Sequence, residues 1–231
     1  MTFFSNLSEE GALHLTGSTR ADVDFCYFRD NNGTEVGALK ISQDSVVRVS
    51  EGLFEVNFGE EMANEIYISN RALGFIDETA VYGDDFNAEF EAFLNDASRP
   101  DNEADDFALP RGGVAAVTGR ATALFTDSLM SGHYGRTGAI HVTGAPVFSA
   151  LRTDFSGNRA LTGGGLFVNA ERSGFARVLE CNFTNNIARF GGGLVIAGNS
   201  ARWISVSISV ALWQAMERTR STHVTSKTTR H

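Results

Sequence analysis

Apolar and polar residues alternate along this chain in short runs. Leu13/Leu15, Leu39/Ile41, Ile66/Ile68, Ile140/Val142, Leu166/Val168 and Leu194/Ile196 each enclose an outward partner, among them His14, Lys40, Tyr67 and His141. A period of two is that of a strand with one face inward and the other outward. A second alternating set comprises Cys26/Phe28, Ala123/Phe125, Thr153/Phe155 and Cys181/Phe183. The i, i+3, i+4 stripes of amphipathic helices are missing from these runs, which excludes a helical repeat array.

The runs recur with a fixed phase. Phe3-Phe-Ser-Asn6 precedes Gly11-Ala-Leu, Phe28-Arg-Asp-Asn31 precedes Gly37-Ala-Leu, and Phe54-Glu-Val-Asn57 precedes Asn64-Glu-Ile. Phe125-Thr-Asp-Ser128 precedes Gly138-Ala-Ile, Phe155-Ser-Gly-Asn158 precedes Gly164-Gly-Leu, and Phe183-Thr-Asn-Asn186 precedes Gly192-Gly-Leu. The second motifs are spaced by 26, 27, 26 and 28 residues, with one wider gap between residues 64 and 138. A further start at Gly112, 26 residues before Gly138, takes Phe93-Leu-Asn-Asp96 as its degenerate partner.

A unit of this length cannot bury its apolar face alone, and stacking it forms a continuous core. The pattern predicts an all-β fold, a right-handed parallel β-helix (a single-stranded solenoid) of about seven to eight coils over residues 1–210. Asn6, Asn31, Asn57, Asn158 and Asn186 are expected to form a ladder, because an Asn amide donates and accepts and can bond both up and down the stack. Ser128 and Asp96 are expected departures from it. Phe3, Phe28, Phe54, Phe125, Phe155 and Phe183 are expected to stack as an aromatic ladder inside. Cys26 and Cys181 share a phase, are expected to point inward, and lie too many coils apart for a disulfide.

Composition supports this picture. The 231 residues contain 24 Gly and only 3 Pro, which suits many tight turns between strands that keep their ladder donors. The net charge of −9 argues against a nucleic-acid partner. The charge is uneven, since residues 216–231 carry +3 through Arg218, Arg220, Lys227 and Arg230 against Glu217. Two cysteines without a CxxC or a His/Cys cluster do not support a zinc site. No secretory leader pattern opens the chain, and its longest apolar stretch, Trp203 to Trp213, is too short and too serine-rich to span a bilayer.

The paired motifs resemble the Phe-x-x-Asn and Gly-Gly-Ala-Ile repeats of the chlamydial polymorphic outer membrane proteins and of similar β-helix repeats in bacterial and algal surface proteins. The best matches are Cys181-Asn-Phe-Thr-Asn-Asn186 with Gly191-Gly-Gly-Leu-Val-Ile196, and Phe155-Ser-Gly-Asn158 with Gly163-Gly-Gly-Leu166. The resemblance covers roughly residues 3 to 200. It implies a secreted or surface-displayed passenger that acts in adhesion or recognition of a protein or glycan. That family's C-terminal membrane barrel has no counterpart here. The loss of the repeat beyond residue 200 fits a fragment of a longer chain.

Two segments depart from the repeat. Residues from about 84 to 106 form an irregular acidic insertion, expected as a solvated loop, in which Asp101, Asp105 and Asp106 are the candidates for a Ca²⁺ site. Ala201 to Val210 alternates as one last strand, and residues 211–231 are expected to be a C-terminal cap or a disordered basic tail. Asn6, Asn32 and Asn182 stand in N-glycosylation sequons; Asn6 is expected to be held in the ladder, and Asn182 to face outward.

The alternative function is a carbohydrate-active β-helix enzyme, pectin lyase-like or polygalacturonase-like, or a degenerate remnant of one. Gly83-Asp-Asp85 and Ser131-Gly-His-Tyr-Gly135 resemble fragments of such sites in composition. Glycosidase chemistry needs paired carboxylates at set distances, and Asp84 and His133 are expected about two coils apart. No catalytic set is assigned. His14 and His141 are expected to be isolated surface histidines.

Overall fold

The computed structural model describes residues 1–83, 88–96, 98–99, 107, 109–170, 174–197 and the backbone of 204–209. They form the expected parallel β-solenoid, with seven coils. Four strand columns run along it. The first stacks β1 (Thr2–Phe4), β5 (Tyr27–Arg29), β9 (Leu53–Glu55), β13 (Ala80–Tyr82), β16 (Leu129–Ser131), β20 (Asp154–Ser156) and the second half of β23 (Phe175–Thr184). The second is short and comes in two pieces, β2 (Leu7–Ser8), β6 (Asn32–Gly33) and β10 (Phe58–Gly59), then β17 (Tyr134–Thr137), β21 (Arg159–Thr162) and β24 (Ile187–Phe190). The third stacks β3 (Leu13–Leu15), β7 (Leu39–Ile41), β11 (Ile66–Ile68), β14 (Ala115–Val117), β18 (Ile140–Gly144), β22 (Leu166–Ala170) and β25 (Leu194–Ala197). The fourth stacks β4 (Arg20–Asp24), β8 (Val46–Ser50), β12 (Leu73–Asp77), β15 (Thr122–Thr126), β19 (Val147–Leu151), the first half of β23 and β26 (Ile204–Ser209).

The alternation fixes the register, because a slip by one residue would turn every apolar side chain outward. Phe3 pairs with Phe28 and Phe28 with Phe54, and their rings stack at centroid distances of 4.5 and 4.6 Å. Phe155 and Phe183 stack at 4.8 Å. Between these two runs the same position is held by Val81 and Met130.

Phe125 does not belong to that ladder. It lies in the fourth column, in register with Ile76 and Ala150, and its ring is tilted against Phe148 at 6.0 Å. The string Phe125-Thr-Asp-Ser128 straddles a corner, with Asp127 at φ 49° making the turn from β15 to β16. The coils with smaller aliphatic side chains in the first column thus receive Phe125 and Phe148 from the fourth, which keeps the core filled.

Each such corner has the same construction. Phe25, Glu51, Glu78, Asp127, Arg152 and Glu180 take φ between 45° and 54°. In most coils the next residue is a small buried Cys, Ser or Thr whose side chain donates to the carbonyl two residues back. Examples are Cys26 to Asp24, Thr79 to Asp77, Ser128 to Thr126, Thr153 to Leu151 and Cys181 to Leu179. Ser128 is therefore a corner residue rather than a ladder departure. The two cysteines are buried, free thiols in this series. Burial, the leading cause, pushes the Cys181 thiol pKa upward.

A second left-handed residue precedes each ladder Asn, and one of these is Val56, at φ 56°. A β-branched side chain is disfavoured in this conformation, whereas Asn tolerates it. Val56→Asn is expected to raise stability by about 1 kcal/mol, read as a higher midpoint in denaturant. An unchanged or lower midpoint would show that the turn is not strained.

The wider gap in the repeat is an expanded coil. Ile66 pairs directly with Ala115, so no coil is missing and the extra residues emerge between β13 and β14. Their described part is not a plain solvated loop. It contains α1 (Ala88–Asn95), whose Phe90, Phe93 and Leu94 are buried against Phe107, Leu109, Tyr134, Leu161 and Ile187. Phe93 belongs to this helix and Asp96 follows it, so neither is a coil motif. The Arg189 guanidinium lies 4.1 Å from the centroid of the Phe93 ring and donates to the carbonyls of Phe93, Asp96 and Arg99, closing the helix C-terminus.

Candidate recognition surface

The Asn ladder forms as two runs. Asn6 Nδ2 donates to Asn31 Oδ1, and Asn31 Nδ2 to Asn57 Oδ1, both at 2.7 Å. Asn158 Nδ2 donates to Asn186 Oδ1 at 3.0 Å. Each rung also satisfies a backbone N–H, as Asn57 Oδ1 does for Asn31 at 3.0 Å. Asn6 is tied into the ladder. Asn182 is exposed beside Asp154, to which its amide donates at 2.7 Å, and Asn32 is also exposed.

Between the runs stands a group that sequence reasoning missed. The Glu65 carboxylate takes the acceptor role of a rung, receiving Asn57 Nδ2 at 2.6 Å and the Asn57 N–H at 3.4 Å. His133 holds the ladder position of the next described coil. Its N–H donates to Asn158 Oδ1 at 3.1 Å, and its Nε2 lies 3.7 Å from Glu65 Oε1. Both side chains are fully buried. Glu65 was detectable, because Ala12, Ala38, Val114, Ala139, Gly165 and Gly193 occupy the equivalent position immediately before the third-column strand. A carboxylate at a position otherwise held by glycine and apolar residues signals a buried acceptor.

The strings around residues 83 and 131 lie closer than their sequence suggests. Tyr82 pairs with Ser131, one coil step rather than two. Asp84 and Asp85 lie outside the described residues, as do Asp101, Asp105 and Asp106. His133 is closed off from solvent. Among the described residues, no group of three or more His, Cys, Asp and Glu side chains is arranged to hold a metal ion.

The outward face of the third column is consumed by its own contacts. Lys40 Nζ bonds Glu35 at 2.6 Å and Glu10 at 3.2 Å, and lies 5.9 Å from the Tyr67 ring centroid. Burial opposes the Lys40 charge, yet the two carboxylates hold its pKa above the ordinary value. His14 is not isolated, since it pairs with Glu10 and lies 2.9 Å from Ser42 Oγ. Nor is His141, which is buried, stacked on Phe167 at 5.6 Å and 2.5 Å from Thr137 Oγ1.

The fourth column is different. Its inward residues, such as Val47, Val49, Ile76, Phe125 and Val178, fill the core, and its outward positions mix apolar side chains with Arg48, Asp77, Thr122, Thr126, Ser149 and Arg177. Leu73 and Phe75 on β12, Leu124 on β15, Val147 and Leu151 on β19, and Phe175 and Leu179 on β23 form a half-exposed to exposed patch across four adjacent coils. Comparison with protein-family models, curated proteins and solved structures gives no match.

Thr122, Thr126 and Ser149 lie in register among the apolar side chains of the patch, and charged groups stand at the margins. Arg48 and Arg177 flank the patch, in register with Phe75 and Ser149 respectively. At the strands' carboxyl ends, the corner residues Glu51, Glu78, Asp127 and Glu180 are exposed. Arg152 engages Asp127 through two bonds of 2.6 Å and, by that hydrogen bonding, lowers its pKa. At the opposite ends a cavity of about 580 Å³ is lined by Gln43, Asp44, Asn70, Arg71, Gly119 and Arg120. No helix among the described residues is long and apolar enough to cross a membrane.

Proposed function

We propose that this chain is a non-enzymatic recognition solenoid, displayed at or outside the cell surface, whose fourth-column outer face docks a partner. The apolar patch centred on Phe75 and Leu124 carries the reading. Its aliphatic side chains offer dry contact area, and the arginines and carboxylates at its margins set orientation. Apolar area at Leu73, Phe75, Leu124 and Val147 suits a protein partner, and Thr122, Ser149 and Arg177 in the same rows add polar contacts. These titratable groups act in support of the coil: Glu65 and His133 within it, Lys40 and His14 on its third-column side.

The test is surface plasmon resonance of the full chain against purified cell-surface proteins and arrayed glycans. Saturable binding to a protein is expected. Phe75→Asp should weaken it by about tenfold or more, the loss typical of a central interface residue. Binding confined to glycans would overturn the choice of partner. Release of reducing ends from polygalacturonate in the presence of Ca²⁺ would overturn the non-enzymatic reading.

A further inference from the structure

We propose that the cavity at the turn from the third to the fourth column is a seat for a carboxylate, supplied by an acidic side chain of the protein that docks on the fourth-column face. The cavity, of about 580 Å³, spans three coils. Its turn residues stack in two rows, Gly17, Gln43, Asn70, Gly119 and Gly144, then Ser18, Asp44, Arg71, Arg120 and Ala145. The register is fixed by backbone bonds from Asp44 to Gly17, Arg71 to Gln43, Arg120 to Asn70 and Ala145 to Gly119. The first row takes φ between 61° and 91° throughout. It loses its side chains after Asn70, which leaves Arg120 beside a bare turn.

Charge decides what fits. Asp44 is the single carboxylate of the second row and stands against two guanidiniums. Arg71 takes both of its oxygens, through Nε and Nη2 at 2.8 Å each. Arg120, exposed at the cavity wall one coil further, is then left without a carboxylate partner among the described residues. A guanidinium presents a fork of N–H donors that matches a carboxylate. The Gln43 and Asn70 amides line the same cavity and add donors. Phe75 and Leu124 follow Arg71 and Arg120 by four residues along β12 and β15. The seat therefore opens onto the patch, about 13 Å from these apolar side chains. An extended partner segment covers that distance in about four residues, which sets an Asp or Glu about four positions from an apolar anchor. The inference rests on the recognition reading and names the chemistry of its partner.

The test is a nuclear magnetic resonance titration of the full, isotopically labelled chain with the capped peptide acetyl-Glu-Ala-Ala-Ala-Phe-amide. Saturable shifts are expected at the Arg120 Nε–H and at the Gly119 N–H, and the latter reports affinity in the variants. Replacing the peptide's Glu by Gln, or Arg120→Gln in the chain, should each weaken binding about fivefold. Asp44→Asn frees Arg71 and removes a repelling charge, so it should tighten binding by about as much. Arg120 and Asp44 are exposed turn residues, and circular dichroism of both variants should stay that of the folded chain. Equal affinity for the Glu and Gln peptides overturns the proposal, as does an Arg120 that fails to respond. Tighter binding of D-glucuronate than of the Glu peptide also overturns it, in favour of an acidic sugar. Binding weakened by Phe75→Asp but not by Arg120→Gln leaves the docking face standing and sinks the seat. Binding weakened by Arg120→Gln but not by Phe75→Asp keeps the seat and sinks the docking face.

Discussion

Glu65→Ala is expected to be among the most damaging single substitutions in the solenoid, lowering stability by about 3 kcal/mol or more. The carboxylate is fully buried and stands in for a missing ladder rung. Its removal leaves the Asn57 N–H without its acceptor, takes one acceptor from Asn57 Nδ2, and opens a void beside His133. Asn57 Nδ2 keeps its bond to the Phe28 carbonyl at 3.0 Å, so the ladder below should remain formed. Glu65→Gln retains an acceptor oxygen of the same reach and should lose less than half as much. Denaturant titration of the two variants checks the expectation. Equal losses would show that the carboxylate acts through its charge beside His133 rather than as a rung.

The fold was legible because a solenoid writes its period into the chain. Strand alternation, the Phe and Asn positions at residues 3 to 57 and 155 to 186, and the inward cysteines all follow from local pattern. Legibility failed where two strings look alike but sit differently on a corner. Phe125 to Ser128 mimics the motif, and only the corner rule distinguishes it: the small Cys, Ser or Thr lies two residues before the ladder position, so Ser128 points to Met130. The helix of the insertion was hidden by its acidic surroundings, although Phe90, Phe93 and Phe107 carried an apolar signal. The candidate surface was hidden for another reason. Equivalent outward residues of one column are far apart in sequence, 49 residues from Phe75 to Leu124 and 25 from Thr122 to Val147, so they become a patch only when coils are stacked.

His141 should make the solenoid sensitive to mild acid. Burial, the leading cause, and then the charge of Arg111 push its pKa from 6.5 down to about 4. The folded chain therefore holds a neutral imidazole while the unfolded chain binds a proton, and stability rises with pH between the two values. The contribution is present in full above the unfolded pKa. It is lost as pH falls toward 4, by about 3 kcal/mol at 1.36 kcal/mol per unit. This window lies above the one in which Asp44 and Asp127 act. Their arginine hydrogen bonds lower their pKa values, so their contributions disappear only at more acid pH. His141→Phe keeps a ring to stack on Phe167 and leaves Thr137 Oγ1 its bond to the Arg111 carbonyl. The variant should match the parent near pH 7.5 and exceed it near pH 4.5, with the curves separating through pH 6. Parallel curves across that range would mean that the imidazole charges in place, with enough water around it to make burial irrelevant. Because Arg111 is the smaller cause, Arg111→Gln should move the acid limb by much less than His141→Phe, which separates burial from charge repulsion as the origin of the sensitivity.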